Sequence, residues 1–209
     1  KATEAVNWDQ KRREKIPNRG IGMACAYHVS GDKQSYGPIS TSSVNLVGNE
    51  DGSFYLYMDQ SEIGAGIGTA AQQVAAEILG ASLENIKGVW GDTEVTPFDL
   101  GSYGSRCGFT TGNAVKIAAT DMRQQLFEVA ASMLEVSVAN LDAKDGQIYI
   151  KKTSDKKVSI AEVALRIHFV LGTTLVSNGV YNMPCSLQDP SNGVWPAPGM
   201  CTSYPAACQ

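Results

Sequence analysis

The chain is 209 residues long, 43% hydrophobic and 18% charged, a composition that suits a folded globular protein and excludes a disordered one. Its 17 basic and 21 acidic residues leave a net charge of −4, which speaks against a nucleic-acid partner, because such binding rests on clustered Lys and Arg. The 5 cysteines are scattered and form no C-x-x-C pair, so the sequence carries neither a zinc knuckle nor an iron–sulfur run.

A chain of this size can bury roughly 70% of the surface its unfolded form exposes, enough for a core without staples. No apolar run approaches the ~20 residues of a membrane span and no signal peptide opens the sequence, so cytoplasmic residence is the expectation. Residues 1–18 are polar and read as a leading helix or linker. Residues 19–183 read as one α/β region, and residues 184–209 as a loop-rich tail of the same incomplete domain. A stretch of that length without periodicity implies that its packing partner lies outside this chain.

In chain order, Arg19 to His28 turns apolar and strand-like, and Gly31 to Gly37 is a polar loop. Ser43–Val47 and Phe54–Met58 read as strands joined by Gly48-Asn49-Glu50-Asp51-Gly52, a hairpin signal. From Thr69 to Leu79 a helix is predicted, with Ala70, Ala71, Val74, Ala75, Ile78 and Leu79 on one face and Gly80 at the C-cap. Ile86–Trp90 gives a short strand. The longest helix follows a loop over residues 91–108, with Val115, Ala118, Ala119, Met122, Leu126, Val129, Ala130 and Met133 lining one face. Asp145-Gly146 precedes the strand Gln147–Ile150. Ser159 and Glu162 form a capping box ahead of a helix to about Val170, and Thr173–Tyr181 is the last strand. The order β-β-α-β-α-β predicts an α+β fold: a two-layer α/β sandwich with its helices on one face of a mixed sheet.

Two glycine-rich turns carry the chemistry. Gly64-Ala65-Gly66-Ile67-Gly68-Thr69 follows a strand and opens a helix, where glycines allow close backbone approach and the first turn offers N–H groups to an anion. A dinucleotide fingerprint would need Gly at position 69, and no Walker lysine follows. The second turn, Gly101-Ser102-Tyr103-Gly104-Ser105-Arg106, combines hydroxyls and a guanidinium ahead of the long helix, a second anion cradle. Its spacing is not that of a nucleophile elbow. Arg106 either forks onto an anionic ligand group or pairs with Asp92, Glu94 or Asp99 in the same segment. Two cradles in one lobe suit an extended ligand with several anionic groups. A nucleotide- or phosphate-binding module without catalysis would use the same loops, and the loop-rich tail would suit a scaffold or interface piece that binds neither metal nor nucleotide. His28 and His168 have no third ligand nearby, and Cys107, Trp90, Trp195 and Tyr204 read as core or interface residues.

The run Glu62 to Ala70, then Gln73 to Gly80, Gly91-Asp92-Thr93, Thr96-Pro97, the second turn and Gly112-Asn113-Ala114 resembles, in order and spacing, the molybdenum hydroxylases of the xanthine oxidase and aldehyde oxidase family. The resemblance covers nearly all of residues 18–209 and is nearest to the bacterial 4-hydroxybenzoyl-CoA reductase type. It implies molybdopterin with molybdenum, as the cytosine dinucleotide in most bacterial members. It places Gly64, Ala65, Gly66, Ile67, Gly68 and Thr69 on the loop beside the metal and pterin. Ser102, Tyr103, Gly104, Ser105 and Arg106 then fall on the loop that holds pterin and phosphate groups. Iron–sulfur clusters and FAD are expected on partner chains, and the rest of the molybdopterin subunit beyond this chain.

Two departures stand out. The family's first loop usually reads Gly-Gln-Gly, whereas Ala65 has no side-chain donor or acceptor. The family's general base lies in a Gly-Glu-Pro segment, and no Gly-Glu pair occurs here; the Arg-Gly-Phe-Gly loop of the substrate pocket is also missing. The expectation is therefore a set of cofactor loops without the base, as a fragment or one piece of a divided subunit.

Overall fold

The hairpin nucleates the architecture. β1 (Thr41–Gly48) and β2 (Phe54–Met58) alternate strictly between covered and half-covered residues, as strands with one packed face must. They pair antiparallel with Val44 opposite Met58 and Gly48 opposite Phe54, and Asn49 and Asp51 close the turn through bonds with Ser53. These strands belong to the computed structural model, which describes residues 2–24 and 40–183. Ahead of them, α1 (Ala2–Ala5) and α2 (Trp8–Arg13) are short, and α2 buries nothing. The strand expected from Arg19 is absent over residues 19–24: Gly20 and Gly22 have no side chains to pack, and only Ile21 there is even partly covered. Its remainder lies outside the described residues, as do His28, Trp195, Tyr204 and the tail from 184.

After β2 the chain forms α3 (Ile67–Leu79) and returns as β3 (Ile86–Trp90), parallel to β2, with Phe54 opposite Ile86. α3 buries Ile67, Gly68, Ala71, Ala75, Ala76 and Leu79; Ala70 is exposed, so the buried stripe is rotated from the one read in the sequence. Gly80 caps it with φ 67°, the left-handed conformation that glycine takes without strain. α4 (Cys107–Leu134) is the longest helix and lays Ala114, Val115, Ala118, Ala119, Met122, Leu126 and Ala130 on the sheet. No described helix is both long and apolar enough to cross a membrane.

A small antiparallel sheet follows: β4 (Leu141–Lys144), β5 (Gln147–Ile150) and β6 (Thr153–Ser159), in the order β4-β5-β6. Only β5 was legible beforehand. α5 (Ile160–Leu165) begins with the expected capping box, in which Ser159 Oγ accepts from Glu162 N and Glu162 Oε2 accepts from Ser159 N. The helix widens into a π turn over Arg166–Val170, where His168 Nε2 lies 3.2 Å from Gly48 O, a structural contact. β7 (Leu175–Asn182) then pairs antiparallel with β1, giving the main sheet the order β3-β2-β1-β7. The fold is α+β, with α3 and α4 packed on one face of that mixed sheet, as the sequence predicted. Val44, Leu46, Phe54, Leu56, Met58, Ile86 and Leu175 line that face.

Because β2 and β3 run parallel, both loops that follow them open at one end of the sheet, together with the start of β1. That end carries the candidate site.

Candidate functional site

The two turns converge at this end, and they do so through residues between β2 and the first turn. Gln60, fully buried, donates from Nε2 to Ser102 Oγ, which in turn donates to the Ser61 carbonyl at 2.6 Å. Gln60 Oε1 accepts from Thr111 Oγ1 at 3.0 Å, in the first turns of α4. The network continues inward: Ser42 Oγ donates to Thr110 Oγ1 at 2.9 Å and lies 3.3 Å from Thr111 Oγ1, while Thr110 Oγ1 donates to the Arg106 carbonyl. A buried polar group is costly unless it is bonded, and each side chain of this network has partners.

Arg106 anchors the network. It is fully buried at the N-cap of α4. Nη1 donates to Asp99 Oδ1 and to the Gly101 carbonyl, both at 2.9 Å; Nη2 donates to the Thr41 carbonyl and Ser42 Oγ; Nε donates to Ser40 Oγ at 3.2 Å. Every N–H of the guanidinium is thereby taken within the chain. Of the two roles open to Arg106, the geometry supplies the ion pair, with Asp99 as the partner. Asp99 also accepts from Gly101 N at 2.7 Å, so one carboxylate holds both ends of the turn. Tyr103 lies under the guanidinium with its ring centroid 5.5 Å away.

The remaining residues of the second turn are less covered than Arg106. Ser102, Tyr103 and Gly104 are half-buried and Ser105 is exposed, and the backbone is left-handed at Gly101, Gly104 and Ser105. A non-glycine residue with φ 53°, as at Ser105, marks a turn whose conformation is imposed by its surroundings.

The first turn is more open. Gly64, Ala65, Gly66 and Thr69 are exposed, while Ile67 and Gly68 are buried within the first turn of α3. Gly64 and Gly66 have φ of 92° and 70°, and a Cβ built on either would meet nothing within 4 Å among the described residues. Gly68 is closed on its inner side by the Trp90 ring, 2.8 Å from where a Cβ would stand. The amides of the turn are not free. Glu62, which sequence reading treated only as part of the motif, accepts from Gly64 N at 2.8 Å and Gly66 N at 2.9 Å through Oε1, and from Gly68 N at 3.3 Å through Oε2. Those bonds, Gly66's foremost, hold its carboxyl below the ordinary glutamate range. A carboxylate followed by glycines two, four and six positions later was the available signal.

Gln60 and Ser42 also escaped sequence reading, because their partners lie far along the chain. Outside the network, Thr96 Oγ1 donates to Asp59 Oδ1, tying the segment after β3 to the end of β2. Cys107, half-buried, is the first residue of α4.

Residues 1–208 match the family model of the molybdopterin cofactor-binding domain. The xanthine dehydrogenase molybdenum-binding subunit of Escherichia coli O157:H7 is 29% identical over 173 residues, spanning 79% of this chain and 23% of the relative. The 6-hydroxypseudooxynicotine dehydrogenase complex subunit gamma of Paenarthrobacter nicotinovorans is 30% identical over 167 residues, 78% of this chain and 20% of the relative. Among solved structures, quinoline 2-oxidoreductase from Pseudomonas putida 86 superposes with a TM-score of 0.71 at 21% identity, covering 86% of this chain and 25% of that one. The chain therefore spans about a quarter or less of the length of these proteins, and it belongs to the molybdopterin cofactor-binding domain family of the molybdenum hydroxylases.

Proposed function

We propose that the turns 64–69 and 101–105 together hold a molybdenum cofactor, molybdopterin in its cytosine dinucleotide form. The observation that supports this best is the Gln60–Ser102–Ser61 linkage, which brings two glycine-rich turns to one end of the sheet. The residues fit such a group. Gly64 and Gly66 leave a face that a bulky ligand can approach, and exposed Ser105 brings a hydroxyl that suits pterin and phosphate oxygens, while Ser102 holds the two turns together. Arg106 serves by fixing the second turn through Asp99, since its donors are spent inside the chain.

When bound, this cofactor supplies two-electron oxidation and reduction at a substrate carbon. The protein around it binds, orients and excludes water. The substrate class that fits the reading is an aldehyde, an N-heterocycle or an aromatic acyl-CoA. The general base belongs to another part of the subunit, because no Gly-Glu pair occurs in this sequence. Iron–sulfur and flavin-bearing chains are the partners that would carry electrons onward, in the cytoplasm. The test is to purify the intact subunit with its partners, denature it, and identify the released pterin nucleotide by mass spectrometry. Cytidine monophosphate linked to pterin is expected; a guanine nucleotide would correct the cofactor form, and no pterin at all would overturn the reading.

A further inference from the structure

Sequence reading leaves the amides at the start of α3 to a bound anion, yet a side chain of the same loop already sits on them. We propose that Glu62 is the positioning residue of the first cofactor loop, its carboxylate fixing the turn by gathering the N–H groups of Gly64, Gly66 and Gly68. This rests on the cofactor reading above.

Three observations carry it. The N-cap of α3 is Gly66, which has no side chain with which to cap the helix, and the Glu62 carboxylate supplies the negative charge that a helix N-terminus favours. The left-handed backbone at Gly64 and Gly66 curls the turn so that amides at alternate positions point to one carboxylate. The Cβ side of the same two glycines is open, with nothing within 4 Å of either Cβ position among the described residues. The turn is thus held by the Glu62 carboxylate and leaves the Cβ side of both glycines for the ligand. An anion placed on these amides would meet a carboxylate already bonded to them, so the anionic groups of the ligand belong at the second turn and a neutral part at the first. Lowering of the Glu62 pKa by the same bonds agrees with a carboxylate that stays charged in place.

The experiment uses the intact molybdenum subunit in its assembly, as wild type, Glu62→Gln and Glu62→Ala. Hydrogen exchange across residues 62–70, molybdenum content, melting temperature and the Mo(V) electron paramagnetic resonance signal are read together. In Glu62→Ala, exchange is expected to quicken about tenfold or more, as local opening becomes easier. Molybdenum content should fall severalfold and the residual Mo(V) signal should shift, with the melting temperature little changed. Glu62→Gln, which keeps one carbonyl acceptor for Gly64 and Gly66, should recover much of the loss. Inorganic phosphate should slow exchange in Glu62→Ala and not in wild type. Wild-type exchange and full molybdenum in Glu62→Ala would overturn the proposal, as would phosphate protection of the wild type, or a collapse in melting temperature that accounts for the lost metal. Should the wild-type assembly hold no molybdenum, the cofactor reading fails, and the exchange and phosphate arms still judge Glu62.

Discussion

Arg106 and Asp99 meet at 2.9 Å with both side chains sealed from solvent, so the ion pair stands inside the fold, at the two ends of the second glycine-rich turn. Its value lies in what would be left behind without it. A buried pair contributes modestly against well-packed apolar groups, but removal of one partner strands the other charge.

Arg106→Ala should therefore destabilise the protein by about 3–5 kcal/mol, measured by denaturant unfolding. Arg106→Lys keeps the charge and loses the fork that reaches Asp99, Gly101, Thr41 and both serines, so it too should destabilise. Cofactor loss is expected to track unfolding in both variants. Wild-type stability with depleted cofactor would instead assign Arg106 to the ligand.

Close approach of α4 to β7 gives a second expectation. A Cβ on Gly179 would stand 2.0 Å from the Ala114 carbonyl, so Gly179→Ala must push helix and strand apart. Overpacking of this kind should cost about 3 kcal/mol. Gly112→Ala, on α4 with nothing within 4 Å of its Cβ position among the described residues, should be neutral or gain up to about 1 kcal/mol. Equal unfolding midpoints for the two variants would contradict the packing described.

Gln60 tests whether the two turns are one site. Gln60→Ala leaves the Thr111 hydroxyl and Ser102 without their shared partner. The expected cost is about 1–3 kcal/mol, with faster hydrogen exchange in residues 101–106. Unchanged exchange there would mean that the turns are independent.

The helices were legible because α3 and α4 repeat their small and apolar residues at helical spacing over many turns. The hairpin was legible because Gly48 to Gly52 concentrates turn residues between two alternating strands. β6 was not, since Thr153–Ser159 is polar but for Val158 and is held by pairing with β5 rather than by its own pattern. The π turn over Arg166–Val170 has no spacing signal of its own. At the site, the glycines and hydroxyls marked both turns, but nothing local distinguishes an Arg106 aimed at a ligand from one buried against β1. That choice depends on Ser40, Thr41 and Ser42, more than sixty positions earlier.

Acidification should loosen the first loop in a defined window. The folded-state carboxyls of Glu62 and Glu162 titrate below the ordinary glutamate value of 4.5. A lowered pKa means that the stabilisation is fully present above 4.5 and is lost as the pH falls through the lower folded-state value. Exchange across residues 62–70, corrected for its intrinsic pH dependence, should therefore stay slow at and just above 4.5 and rise below it. Glu62→Gln should abolish that rise. A loop that loosens with its midpoint above 4.5 would contradict the bonds seen at Glu62.

The most direct test of the account is the molybdenum content of Gly66→Val in the intact assembly, set beside its melting temperature. Gly66 is exposed, left-handed and bare on its outer side, so the isopropyl group would fill the space where the ligand is held to approach. Strain at a positive φ should cost about 1–3 kcal/mol and leave the protein folded. Molybdenum is expected to drop to about a tenth of wild type or less, since a blocked close approach costs more than 1.4 kcal/mol of binding. Full molybdenum occupancy in a folded Gly66→Val protein would contradict the claim that this loop holds the cofactor.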